Sequence, residues 1–135
     1  MSVTIKNKSF GALAIDIVGG TSTANAGQGQ IPNLEGVNVL ILRSTLLTKT
    51  ASDGAANLGI GVAASGAKGT DILNDATVNG LTSGHLYNGH ARQNSAKTQI
   101  SAPAVWTPTS YVTFTASADM TGYTGTLYLE YLRLE

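Results

Sequence analysis

At 135 residues the chain has the length of one domain, with enough residues for a core of its own. Eight basic and eight acidic residues cancel to a formal net charge of zero, which argues against nucleic acid or an anionic membrane as the main partner. Charged residues make up 12 % of the chain, about half the usual share, and the lack of cysteine excludes disulfides and thiolate metal sites. A weakly charged surface rich in Thr, Ser, Asn and Gly suits burial against partners. It equally suits an ordinary polar β-module, and composition leaves both open.

Met1 to Lys6 alternates directly, without the basic-then-apolar pattern of a signal peptide. No apolar run approaches the roughly 20 residues of a membrane span. The expectation is synthesis in a cytoplasm and a soluble product. Val3 and Ile5 suggest a short first strand. Phe10 to Val18 reads as a second, with Leu13, Ile15 and Ile17 on one face and Ala12, Ala14 and Asp16 on the other. Gly19 to Gln30 is a loop by composition.

Val37 to Arg43 is apolar on both faces, as in a strand at a sheet centre or one covered by another subunit. Thr45 to Thr48 continues it, and Asp53-Gly54 is a hairpin-turn signal. Leu58, Ile60 and Val62 form the return strand, with Gly59 and Gly61 opposite, where a second backbone is expected to approach closely. Thr70 to Asp75 has the form of one short helical turn, with Thr70 as its cap. Leu81 to Tyr87 and Thr98 to Ser101 are short strand candidates.

Pro103 and Pro108 bracket Trp106, giving a fixed turn or loop around a large anchor. Tyr111 to Ser117 is a strand with Val112, Phe114 and Ala116 inward. A turn at Ala118 to Gly122 then leads into a last strand that runs to Glu135, with Leu127, Leu129 and Tyr131 on one face and Tyr128 and Glu130 on the other. These two form a C-terminal hairpin. About eight antiparallel strands with at most one helical turn, and no repeat at a fixed period, predict a single all-β domain over 1–135, a jelly-roll β-sandwich.

Chemistry is sparse. His85 and His90 stand five apart without a nearby carboxylate, so they read as loop histidines. Asp71 and Asp75 fall on one side of the proposed helical turn but do not make an EF-hand pattern. No Gly-x-Ser-x-Gly elbow occurs, and the glycines at 19–20 and 27–29 precede no helix. Trp106, Tyr111, Tyr123 and Tyr128 are candidates for an aromatic sugar platform, with core or subunit packing the preferred reading for Trp106. No catalytic, cofactor or metal residues are assigned. Val37, Val39, Ile41, Trp106 and Tyr128 are the candidate interface or packing anchors.

Several segments together carry a resemblance: Leu58-Gly59-Ile60-Gly61-Val62-Ala63-Ala64-Ser65, then Thr70-Asp71-Ile72-Leu73, a Gly/Asn-rich stretch, Tyr111-Val112-Thr113-Phe114-Thr115, and Gly125-Thr126-Leu127-Tyr128-Leu129-Glu130-Tyr131. In style and order over roughly residues 58–132, the chain resembles small jelly-roll virion proteins of tailed bacteriophages, including capsid decoration (cement) proteins. Val3 to Thr48 has no specific counterpart there. The resemblance implies a structural role on the virion exterior, with the phage major capsid protein as partner. It implies a homo-oligomer, dimer or trimer, and no catalytic residues or cofactor. A receptor- or carbohydrate-binding jelly roll of a tail fibre is the alternative. An enzyme would need a convergent constellation that the sequence does not spell out.

Overall fold

The computed structural model of the chain describes residues 2–4, 9–20, 26–77, 85–89 and 104–134. Nine strands lie among them: β1 (Phe10–Val18), β2 (Ala26–Pro32), β3 (Val39–Thr50), β4 (Asn57–Ala63), β5 (Leu73–Thr77), β6 (His85–Gly89), β7 (Val105–Trp106), β8 (Tyr111–Ala116) and β9 (Thr124–Arg133). No helix occurs among the described residues. The strands form two antiparallel sheets. Sheet A has the order β1-β9-β3-β6, with β7 also paired to β3, and sheet B the order β2-β8-β4-β5. The architecture is consistent with a β-sandwich.

Alternation supplies the inner faces. Leu127, Leu129 and Tyr131 of β9 and Val39, Ile41 and Leu46 of β3 are buried from sheet A. Leu58 and Ile60 of β4 and Val112, Phe114 and Ala116 of β8 are buried from sheet B. The long apolar run of β3 is divided by a bulge between Ile41 and Arg43, where the register against β9 shifts. Val39 and Ile41 face inward before it, and Ser44, Leu46 and Thr48 after it. Leu42 is left outside. The strand is therefore central in its sheet, and no described residue covers its apolar second face.

Several expectations are corrected by the topology. Asp53-Gly54 makes no hairpin: β3 and β4 belong to different sheets, and Asp53 N–H donates to Thr121 O at 2.9 Å in a crossing connection. Nor do β8 and β9 form a C-terminal hairpin, because residues 117–123 also cross the sandwich. Residues 70–75 are not a helical turn. Asp71 and Ile72 form a bend that leads into β5, and Ile72 N–H donates to Ile60 O at 3.0 Å. The Gly19–Gln30 loop ends early, since Ala26 to Pro32 pairs with β8 by backbone alone. Ser2 to Thr4 is not strand, and the rest of that first strand lies outside the described residues, as do His90, Thr98 to Ser101 and Pro103.

Two local features fix the core. Trp106 is 1 % exposed, sits opposite Val39, and donates from Nε1 to Ser110 O at 3.1 Å. Its own carbonyl accepts from Asn33 Nδ2 at 2.9 Å. The turn at 107–110 is closed by Ser110 N–H to Thr107 O, 3.1 Å. At Gly61 the expected close approach is present: a Cβ there would collide with the Gly69 and Thr70 backbone and Asp71 Oδ1.

Trp106→Ala should therefore cost about 3–5 kcal/mol of stability, as for other core Trp truncations, read as a lowered denaturation midpoint. A negligible shift would contradict the packing role. Gly61→Ala should cost roughly 1–3 kcal/mol, because backbone rather than a flexible side chain must give way. A neutral Gly61→Ala in the same assay would mean that the 69–71 segment moves freely.

Candidate functional site

The two sheets differ in how their outer faces are used. Over sheet B, residues 64–70 fold back. Gly69 N–H donates to Thr113 Oγ1 at 3.2 Å, and that hydroxyl donates to Gly61 O at 3.2 Å. Gln30 clasps the same turn, Nε2 to Ser65 Oγ at 2.9 Å and Oε1 from Gly66 N–H at 2.9 Å. Thr113 and Thr115, outward by alternation, are consequently buried. A recess of about 180 Å³ remains there, beside Thr115, whose buried Oγ1 has no hydrogen-bond partner among the described residues.

Sheet A has no such cover among the described residues. Cross-strand register sorts its outer face into rows. The first is apolar and runs across four strands: Phe10 opposite Leu132, Leu132 opposite Leu40, Leu40 opposite Val105. Phe10 is 72 % exposed at one end and Val105 44 % at the other. The next row holds Ala12, Glu130 and Arg43, with Leu42 exposed at the bulge. Then come Ala14, Tyr128 and Thr45, and after them Asp16, Thr126 and Leu47. Tyr128 is 44 % exposed. A recess of about 510 Å³ opens between Phe10, Gly11, Ala12, Leu42 and Glu130.

The charges on this face are paired and of both signs. Arg43 Nε lies 3.5 Å from Glu130 Oε2, and Lys49 Nζ 3.6 Å from Asp16 Oδ1. Both pairs are more than half exposed and add little to stability, so a partner can rearrange them cheaply. The hydrogen bond from Thr126 Oγ1 to Asp16 Oδ1, 2.7 Å, lowers the Asp16 pKa, with the Lys49 charge adding to it.

One end of the apolar row is fixed by a clamp. Glu35 takes Arg133 in a forked pair, Nε to Oε2 at 2.6 Å and Nη2 to Oε1 at 3.0 Å, and accepts from Tyr131 OH at 2.5 Å. Arg133 Nη1 also donates to Ser9 Oγ and Phe10 O. The loop carrying Glu35 is tied by Asn33, whose Nδ2 donates to Val37 O and whose Oδ1 accepts from Glu35 N–H. The Arg133 hydrogen bonds, then that of Tyr131, hold the Glu35 carboxyl below its usual range. Burial, then the hydrogen bond to Glu35, pushes the Tyr131 phenol up.

Of the anchors expected from sequence, Val39, Ile41 and Trp106 lie in the core and Val37 packs half-buried against it. Tyr128 alone among them presents surface. The four aromatics make no common platform: Trp106 and Tyr123 are buried, and Tyr111 and Tyr128 belong to different sheets. Asp71 Oδ1 accepts from Val62 N–H at 2.7 Å, a structural bond. Among the described residues no group of three metal-ligating side chains converges, and no helix is long and apolar enough to cross a membrane. Phe10, Leu132, Leu40, Leu42 and Val105 were missed as a surface. Extending the Ala12-Ala14-Asp16 face back to Phe10 was the available signal; the other residues join it only through register.

Glu35 has a depressed pKa in the folded state, so its contribution is present above the unfolded value and lost as pH falls through the folded one. Glu35→Gln should lower the denaturation midpoint at pH 7, and the gap to wild type should begin to narrow at about pH 4, where the unfolded carboxyl protonates, and close at lower pH once the folded carboxyl protonates too. A gap unchanged at acid pH would show that charge is not what holds the clamp.

Protein-family models, curated proteins and solved structures yield no match to this chain.

Proposed function

We propose that the chain is a structural virion protein of a tailed phage, a capsid decoration protein that binds the outer surface of the major capsid protein lattice and stabilises the shell. The observation that carries the reading is the charge-balanced outer face of sheet A, which no described residue covers. Apolar area rimmed by polar groups is the make-up of a protein interface core. The finer fold assignment is part of the same proposal. Eight strands, leaving β7 aside, are shared between two four-stranded sheets, changing sheet at every connection but β4 to β5, so that β1-β9-β3-β6 faces β2-β8-β4-β5. That order supports a jelly roll, a double Greek key closed by its first and last strands.

On this reading the protein is made in the host cytoplasm and ends on the capsid exterior as a homo-oligomer. It assigns no catalytic step and no cofactor. Burial of Leu40, Leu42 and Val105 against capsid supplies the contact, and the balanced Arg43–Glu130 and Lys49–Asp16 pairs leave little net field.

A tail-fibre receptor- or carbohydrate-binding module is the second reading, favoured by one observation: exposed Tyr128 stands on the same strand face as the Glu130 carboxylate. Sugars stack on such aromatics and hydrogen-bond to such acids.

Titration onto shells purified without the protein tests both. Wild type should bind with affinity changing by less than about threefold between low and high salt. Leu42→Asp with Val105→Asp, both at exposed positions, should weaken binding by about tenfold or more. A salt effect of tens-fold would show that charge pairs dominate and that this face is misassigned. No binding to shells, with glycan binding abolished by Tyr128→Ala, would establish the tail-fibre reading instead.

A further inference from the structure

The two sheets end, on one side of the sandwich, in edge strands of opposite character. Edge strand β2 is blunted. Its ladder is broken by a bulge between Gly27 and Gly29, it ends in Pro32, and Gln30 is tied to the 65–66 turn. Such devices keep an edge from pairing with another chain. Edge strand β1 has none of them. It is nine residues long, runs in unbroken register against β9, and contains no Pro and no Lys. Its one charge, Asp16, is engaged on the outer face by Thr126 and Lys49. Among the described residues no strand pairs with its free side, where the Phe10 carbonyl at one end accepts from Arg133 Nη1.

Its side chains are equally unfinished. Phe10 and Val18, the two ends of the strand, are 72 % and 75 % exposed, and both point to the outer face. On the inner face Leu13 and Ile15 are only partly buried. A cleft of about 290 Å³ opens there between β1 and β2, lined by Ile15, Ile17 and Ile31 among others.

We infer that β1 is a homodimerisation edge, pairing antiparallel with β1 of a second copy about a two-fold axis at Ala14. The inference deepens the homo-oligomer part of the function proposed above. Direct cross-strand neighbours share a face, so only registers that set outer residues opposite outer residues are allowed. Centring on Ala14 overlaps all nine residues. It places each exposed Phe10 opposite a Val18 of the other copy, an aromatic–β-branched pair of the kind that stabilises sheets. Asp16 falls opposite Ala12. Centring on Asp16 would set two carboxylates face to face, and centring on Leu13 or Ile15 leaves Val18 or Phe10 without a partner within the strand. The result is an isologous interface and one continuous sheet of twice the width, with both sheet A outer faces on the same side.

The free protein tests this. Sedimentation should give a dimer at micromolar concentration. Phe10→Lys with Val18→Lys sets lysines opposite lysines and should weaken the dimer by about tenfold. Phe10→Lys with Val18→Glu sets opposite charges across the axis and should restore it. The chain has no cysteine, so a single Ala14→Cys should form a symmetric interchain disulfide, its Cβ atoms about 4.5–5.5 Å apart before closure. Ala12→Cys should not, because its copies would stand about 13 Å apart along the strands.

A wild-type monomer would overturn the inference. So would a trimer, or crosslinking at Ala12 in preference to Ala14. The outcomes separate the two proposals: a monomer that binds shells leaves the decoration reading standing, whereas an Ala14-crosslinked dimer that binds no shells removes that reading and keeps the pairing.

Discussion

Strand β9 is paired along its whole length on both sides, to β1 through Phe10–Val18 and to β3 through Val39–Thr50. It is the last of the described strands, and it sits between the first and the third of them. Sheet A therefore cannot exist until the two ends of the sequence meet. The same holds in sheet B, where β8 lies between β2 and β4. Each of these pairings closes a long loop before any core is buried, and the entropy of closure is offset only when both sheets stack. The Glu35–Arg133–Tyr131 clamp stands at the place where this closure is completed, joining the 33–37 loop, the start of β1 and the end of β9 through one forked ion pair.

From that constraint the unequal outer faces follow. The only connection that joins neighbouring strands of sheet B, β4 to β5, is long enough to fold back over its own sheet, and Gly61 and Gly69 let the two backbones touch. Sheet A receives no comparable segment among the described residues. One face is thus closed from within by backbone and threonine hydroxyls. The other is left as rows of side chains, apolar at the Phe10 end and mixed beyond.

The strands with one apolar inner face were legible in the sequence, because β1, β4, β8 and β9 alternate with period two, and Leu127, Leu129 and Tyr131 point inward as their spacing says. Strand β2 was not legible. Ala26 to Gln30 offers glycine and glutamine, and it is held by the ladder to β8 rather than by any apolar pattern. The supposed hairpins at Asp53-Gly54 and at Ala118 to Gly122 failed for one reason: a turn residue fixes local backbone direction, not which sheet receives the next strand. The bulge in β3 escaped likewise, since Leu40, Ile41 and Leu42 are interchangeable to a pattern and only register against β9 distinguishes them. The candidate face suffered most, because a row such as Phe10, Leu132, Leu40 and Val105 draws one residue from each of four strands.

Edge and face bear on each other. A protein that must hold to a repeating lattice gains more from presenting two copies of a modest contact than from enlarging one, because the second contact forms at the high effective concentration set by the first. Pairing through β1 would do this without consuming the face, since ladder bonds form in the plane of the sheet while the side chains of sheet A project out of it. The two outer faces would then lie side by side, related by the same two-fold axis, and would match a site on a shell that itself has two-fold symmetry. An interface built from the face instead would bury Leu40, Leu42 and Val105 between copies and withdraw that apolar row from a lattice. The bare edge and the uncovered face are therefore better read as two halves of one arrangement than as two unrelated defects of a small sandwich.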